Sequence, residues 1–245
     1  MKQGDDNMRK IETVLCLTLL FGFAGLCLFG RSASQAIMTA GKAKTSAEKP
    51  VITIDAGHGG ADGGCVSVNG AVEKNINLNI LKTLRDTMTV MGYDVNCTRE
   101  SDVSIHDKGV EGLKNQKLSD MKNRLAIFGK YSDGISVSIH QNQFTDSKYS
   151  GAQMFYSEKN PEGEQLAKIM QERFHSVLQP DNERAAKAVG DELYLLDNTI
   201  NPAVMIECGF LSNPDEAAKL ESEEYQKQVA FTIMTGIKEY ERSKK

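Results

Sequence analysis

Six short apolar-rich runs punctuate the chain beyond residue 50. They are Val51 to Ala56 (VITIDA), Tyr93 to Thr98 (YDVNCT), Ile135 to His140 (ISVSIH), Ala152 to Ser157 (AQMFYS), Glu192 to Leu196 (ELYLL) and Ala203 to Cys208 (AVMIEC). Their lengths and side chains predict strands. Between them the apolar period lengthens to that of a helix. Ile76, Ile80, Leu84, Met88 and Met91 mark one face, and Gly92 stands where it can cap the end. Leu118 to Phe128 predicts a second helix with Ser119 as its N-cap. Asn160-Pro161 opens a third, with Leu166, Ile169, Met170, Phe174 and Val177 as its buried stripe. Asn213-Pro214 opens a C-terminal helical region carrying Val229, Phe231, Ile233, Met234 and Ile237. Strands alternating with helices imply an α/β fold, a largely parallel sheet covered on both faces.

The pattern is different in kind near the N-terminus. Thr13 to Gly30 is eighteen residues without a charge, preceded by Arg9 and Lys10 and followed by Arg31. That is the lower limit for a membrane-spanning helix and long for the apolar core of a signal peptide. Ser34 to Ala36 (SQA) offers a small-residue cleavage site, whereas Leu26 before Cys27 makes a poor lipobox. Residues 1–36 therefore read as a membrane anchor or a signal peptide, 37–50 as a polar linker, and 51–245 as the folded domain. Either N-terminal reading exports that domain, leaving it membrane-anchored or secreted. The basic residues before the span favour a cytoplasmic N-terminus.

Composition narrows the partners. The 245 residues carry a formal net charge of -4, with 25% charged and 40% hydrophobic residues, so the chain has no global attraction to nucleic acid. Five cysteines are few, and two of them, Cys16 and Cys27, lie in the apolar segment. Cys65, Cys97 and Cys208 show no CxxC, so they form neither a disulfide framework nor a thiolate zinc site. They read as small buried hydrophobes, with a disulfide among them left open.

In open parallel sheets, sites form beyond the carboxyl ends of the strands. Three runs end at or beside a chemically useful residue: His58 after VITIDAG, His140 after ISVSI, and Glu207 in AVMIEC. Glu73 stands at the start of the first helix, behind the glycine loop GHGGADGG. Two histidines and a carboxylate suit Zn²⁺ with a fourth position for water, and hydrolysis of an amide or ester needs one further carboxylate to carry the proton. Each also has a plainer reading. A strand-end histidine is more often structural, and Glu73 fits an ordinary first-turn acid favoured by the helix dipole. Glu207 sits between apolar neighbours, where an unpartnered carboxylate is costly. His106 and His175 read as solvent-exposed. The glycine loop lacks the Lys-Ser/Thr of a P-loop and the GxGxxG of a dinucleotide fold.

Four stretches, TIDAGHGGADGG, EKNINLNI, SVSIHQNQF and PAVMIECGFLSNPDEA, together resemble the zinc-dependent N-acetylmuramoyl-L-alanine amidases of the amidase-3 type. Thr98-Arg99 and Arg124 also fall where that family has a Thr-Arg and a helix arginine. The resemblance covers essentially the whole domain. It implies a single hydrolase-like α/β domain with helices around a mixed sheet of about six strands. It implies cleavage of the amide between the lactyl group of N-acetylmuramic acid and L-alanine of the peptidoglycan stem. Metal ligands carry over onto His58, Glu73 and His140, and the catalytic carboxylate onto Glu207, with one Zn²⁺ per domain. Arg99 and Arg124 are salt-bridge formers or substrate contacts, and Asn142 bonds substrate or the loop. Asp55 orients a ligand or forms the turn. Gln141 and Gln143 stand where smaller residues are common and could narrow the groove or alter glycan contacts. A short single-domain form with an apolar N-terminal segment, together with PDNERAAKAVGDELYLL (Pro180 to Leu196), resembles the spore-cortex, germination-specific type. That type prepares muramic-δ-lactam in cortex peptidoglycan. Expected partners are peptidoglycan, the membrane through the N-terminal segment, and an accessory protein of unknown kind. The competing readings are a vegetative wall amidase, a peptidase acting on the stem, and a non-catalytic wall-binding domain.

Overall fold

The structure, a computed structural model, describes residues 49–244; the proposed anchor or signal peptide and most of the linker lie outside them. Six strands form one sheet: β1 (Ile52–Ala56), β2 (Val95–Cys97), β3 (Ile135–Asn142), β4 (Gln153–Ser157), β5 (Lys187–Val189) and β6 (Ala203–Phe210). Their order is β2-β1-β3-β6-β4-β5. All neighbours run parallel except β4 and β6, so the expected mixed sheet is present.

The helices are α1 (Glu73–Val90), α2 (Leu113–Phe128), α3 (Pro161–Arg173), α4 (Tyr194–Asn198), α5 (Pro214–Glu221) and α6 (Glu223–Ser243). One face of the sheet is buried under α1, α3 and α6, where Ile80, Leu84, Met170, Val229, Ile233 and Ile237 are fully enclosed. A smaller cluster, Phe128, Leu195, Leu196 and Met205 among others, seals the other face. The ends obey local chemistry. Tyr93 N–H bonds Met88 O and Gly92 N–H bonds Thr89 O, with Gly92 at φ 77°, the paired bonds of a Schellman stop. Asn160 and Asn213 cap α3 and α5 from their side chains, each ahead of a proline.

Three details depart from the sequence reading. Helix α2 begins five residues before Leu118, and Ser119 lies inside it, bonded to the Asp107 loop rather than capping. Its first turn (Leu113, Lys114, Asn115, Gln116) buries too little apolar surface to show a period, and Leu113 is exposed. The run Glu192 to Leu196 is not a strand. Strand β5 lies upstream, and Leu195 with Leu196 face the α2 side as part of the short helix α4, an ambiguity intrinsic to brief apolar runs. Val177 leaves the α3 stripe because the helix widens into a π-turn over Phe174–Leu178, and it emerges exposed. Cys65, Cys97 and Cys208 are all free. Among the described residues, no helix is long and apolar enough to cross a membrane.

Candidate metal centre

Strand β1 is flanked by β2 on one side and β3 on the other, so the chain reverses its lateral direction at β1. Such a reversal opens a crevice at the carboxyl ends of the strands. His58 lies two residues past β1, and His140 lies near the end of β3.

The chain after β1 is held in an unfavourable shape. His58 has φ 64°, the only positive value for a non-glycine residue among those described. Such a conformation costs about 1 kcal/mol or more and persists only where surroundings impose it. Two arginines impose it here. Arg99 donates from Nε to Ala56 O (2.9 Å) and from Nη2 to Gly57 O (3.1 Å) and Lys74 O (2.8 Å). Arg124 donates from Nη1 to Ala56 O (2.8 Å) and from Nη2 to His58 O (2.7 Å). Three successive carbonyls are thus clamped. Arg124 also pairs with Asp120 at 2.5 Å and with Asp55. Burial would raise the Asp55 carboxyl, but Arg124 and the hydroxyls of Ser138 and Thr98 hold it below the ordinary range. Arg99 and Arg124 are 3% and 2% exposed, so the structure turns both inward onto backbone, not outward toward a ligand. Asp55 likewise serves Arg124 from within β1 rather than forming the turn.

Glu73 enters from α1, the first residue of the helix, because the loop folds back on itself. Its N–H bonds Cys65 O (2.9 Å) and Lys74 N–H bonds Gly63 O (3.1 Å). Its carboxylate accepts from Cys65 N (2.8 Å), Gln141 N (3.0 Å) and Asn77 Nδ2 (3.2 Å). His140 Nδ1 lies 3.1 Å from one Glu73 oxygen and His58 Nε2 lies 3.4 Å from the other. Burial would raise the Glu73 pKa, yet these two imidazoles hold it far below the ordinary value. Burial would lower that of His58, yet Glu73 and Asp62 raise it. Asp62 Oδ2 sits 3.0 Å from His58 Nδ1, close enough for attraction but without hydrogen-bond alignment.

One donor atom from each of His58, Glu73 and His140 lies within 4.8 Å of the others. Two imidazoles and a carboxylate are the set zinc takes where one position must stay open. The surroundings fit a cation. A Cβ at Gly57 would stand 2.1 Å from His140 Cε1, and one at Gly64 would stand 2.4 Å from a Glu73 oxygen. The glycines therefore clear space for the His140 and Glu73 side chains themselves. Burial and Glu73 push the neighbouring Cys65 thiol up to about 12.

Glu207 reaches the same rim through β6, directly opposite His140 in the parallel β3–β6 register. Its Oε2 is buried without a hydrogen-bond partner. Burial pushes the carboxyl up to about 7; Glu73 adds to that rise, and His140 and His58 oppose it. Asn142 ends β3 opposite Phe210, half-buried. Gln141 points inward instead of into a groove, donating to Asn77 Oδ1 at 3.0 Å and so bracing Glu73. Gln143 bonds Val66 O at 3.3 Å. The arginine clamp and the inward Gln141 had no signal in spacing alone. A cavity of about 490 Å³ opens beside His58, lined by Gly60, Asp62, Ser104, His106, Leu113 and Lys117 among others. His106 is thus half-buried rather than exposed, its Nδ1 2.8 Å from Ser104 Oγ, whereas His175 is exposed.

A crevice at the sheet's switch point thus gathers two histidines and a buried glutamate able to hold a metal ion beside a second glutamate, an arrangement suited to hydrolysis. Residues 52–239 match the amidase-3 family model, described as N-acetylmuramoyl-L-alanine amidase, and the chain belongs to that family. It is 37% identical over 190 residues to the germination-specific N-acetylmuramoyl-L-alanine amidase of Bacillus subtilis (strain 168), covering 78% of this chain and 79% of that protein. The solved CwlD amidase from Clostridioides difficile, in complex with the GerS lipoprotein, superposes with TM-score 0.76 and 38% identity over 80% of this chain and 100% of that one. An N-acetylmuramoyl-L-alanine amidase from Clostridium difficile 630 gives TM-score 0.69 at 29% identity, over 81% of this chain and 100% of that one. The protein is an N-acetylmuramoyl-L-alanine amidase.

Proposed function

We infer that this amidase is zinc-dependent, with His58, Glu73 and His140 as ligands and Glu207 as the proton carrier, and that it works on spore-cortex peptidoglycan. One observation carries the catalytic reading: His140 and Glu207 are cross-strand neighbours, so a ligand and an unpartnered carboxylate share one rim. When bound, zinc supplies Lewis acidity toward the scissile carbonyl and acidifies water. The chain does the rest. Glu73 and the two imidazoles hold the cation, and the clamp by Arg99 and Arg124 fixes His58 in its strained pose. Glu207 takes a proton from the attacking water and returns it to the departing alanine nitrogen. Asn142 hydrogen-bonds the substrate at the end of β3.

The cortex role rests on similarity to the germination-specific and CwlD relatives. A lipoprotein partner is part of the same reading, since the C. difficile relative was solved with one. The N-terminal apolar segment exports the domain across the membrane, as anchor or as cleaved signal. Digestion of defined peptidoglycan, with and without a chelator, tests the chemistry by mass spectrometry. Stem peptides with a free L-alanine amine should appear only without chelator; equal release in both removes zinc, and cleavage within the stem makes the protein a peptidase. Deleting the protein should remove muramic-δ-lactam from the cortex; an unchanged cortex moves the role to wall turnover in growing cells.

A further inference from the structure

An aromatic surface lies next to the rim and has no part in the chemistry above. Phe144 and Tyr149 are 52% and 39% exposed, yet they pack edge to face with ring centroids 4.9 Å apart. Tyr149 in turn lies 6.3 Å from Phe210, three residues past Glu207. The Arg184 guanidinium lies over the Phe210 ring at 4.7 Å and near Tyr149 at 5.9 Å. Its donors are fixed on Ser150 O (2.8 Å) and Gln153 Oε1 (3.0 Å), and Gln153 pairs with Glu207 across β4 and β6. The backbone beneath is pinned as well: Phe144 N–H bonds Ser212 Oγ, and Asn213 bonds Tyr149 O. Phe144 and Tyr149 therefore stand in water on a pinned backbone, backed by the buried Phe210 ring and continuous with the rim. Phe144 is four residues past His140, a reach of at most about 14 Å.

A cavity of about 600 Å³ adjoins this surface, bounded by Gly151, Arg184 and Asn213. Its charged lining is Asp181, Glu183, Asp215 and Glu216 against Arg184 and Lys219, a net negative wall. That wall repels the carboxylates of a stem peptide. An N-acetylated hexosamine suits it better: the sugar is uncharged, offers a flat C–H face to an aromatic ring, and turns hydroxyl and acetamido groups toward polar walls.

We propose that Phe144 and Tyr149 are a stacking platform for an N-acetylhexosamine of the glycan strand, with the adjoining cavity taking the polar edge of the next sugar. This rests on the amidase reading of the rim, but its test does not need turnover. The full-length Glu207→Gln variant is titrated with β-1,4-linked N-acetylglucosamine oligomers, which present the hexosamine rings without peptide or lactyl carboxylate. Adding Phe144→Ala and Tyr149→Ala should weaken binding about tenfold or more, as expected for two lost stacking contacts. Tyr149→Phe, which keeps a ring, should restore most of it, and thermal midpoints show that each variant folds. Unchanged glycan binding overturns the proposal, as does equal weakening by Tyr149→Phe. With Glu207 intact, the ratio of kcat/KM on polymeric peptidoglycan to that on a single muramoyl peptide should fall by a similar factor in the double alanine variant. An unchanged ratio also overturns it. A parent protein that cleaves neither substrate refutes the amidase reading alone.

Discussion

At the scale of single residues, the site is a balance of buried charges with different roles. Glu73 on α1 is held ionised by two imidazoles, whereas burial pushes the Glu207 carboxyl on β6 up to about 7. Replacing Glu207 with glutamine should leave zinc content intact and lower kcat by at least about a hundredfold, as expected for removal of a general acid–base; metal analysis and kinetics on one sample check both. The raised pKa also fixes a sign in the metal-free protein. Below about pH 4.5 the carboxyl is protonated whether the chain is folded or not. As pH rises toward 7 the unfolded chain ionises first, so folding loses stability across that window. Metal-free Glu207→Gln should therefore melt higher relative to the parent at pH 8 than at pH 4; a constant gap would refute the shift. Arg124 and Asp55 form a different kind of pair, buried and structural. Arg124→Met should cost about 3–5 kcal/mol in denaturant unfolding, and Asp55→Asn on top should add less than its own single effect.

At the scale of elements, strands β1, β3 and β6 were legible in the sequence because each is a short apolar run closed by a chemical residue. Helices α1, α3 and α5 were legible through periodicity or an Asn-Pro start. The start of α2 and the identity of residues 192–196 were not, since neither carries a period that distinguishes its state. The four proposed site residues were legible because each stands at or near the end of a strand or helix pattern. The clamp on carbonyls 56 to 58 was not: Arg99 and Arg124 come from a strand exit and a helix 25 residues apart, and only the fold shows both guanidinium groups turned onto one turn. Gly57 is needed because the His140 ring occupies the place of its Cβ. Gly57→Ala should destabilise the protein by about 1–3 kcal/mol through overpacking. It should also weaken zinc binding at least tenfold, read by competition with a chromogenic chelator.

At the scale of the whole molecule, the proposed ligands come from residues 58, 73 and 140, so the complete centre needs β1, β3 and α1 docked together. Zinc should then bind the folded chain far better than the unfolded one and stabilise it by mass action, about 4 kcal/mol at a thousandfold excess over Kd. A rise of about 10 °C in Tm on zinc addition follows for a domain of this size, and His140→Ala should abolish it. The pairing of His140 with Glu207 has a consequence for any preparation of this enzyme. Side chains alternate faces along a strand, so sliding β6 by one residue would set Ile206 or Cys208 opposite His140 and aim the carboxylate away. A refolded sample could then retain a sheet and still be silent. Its specific activity is a census of correctly zipped molecules, one that spectroscopy of the backbone alone would miss.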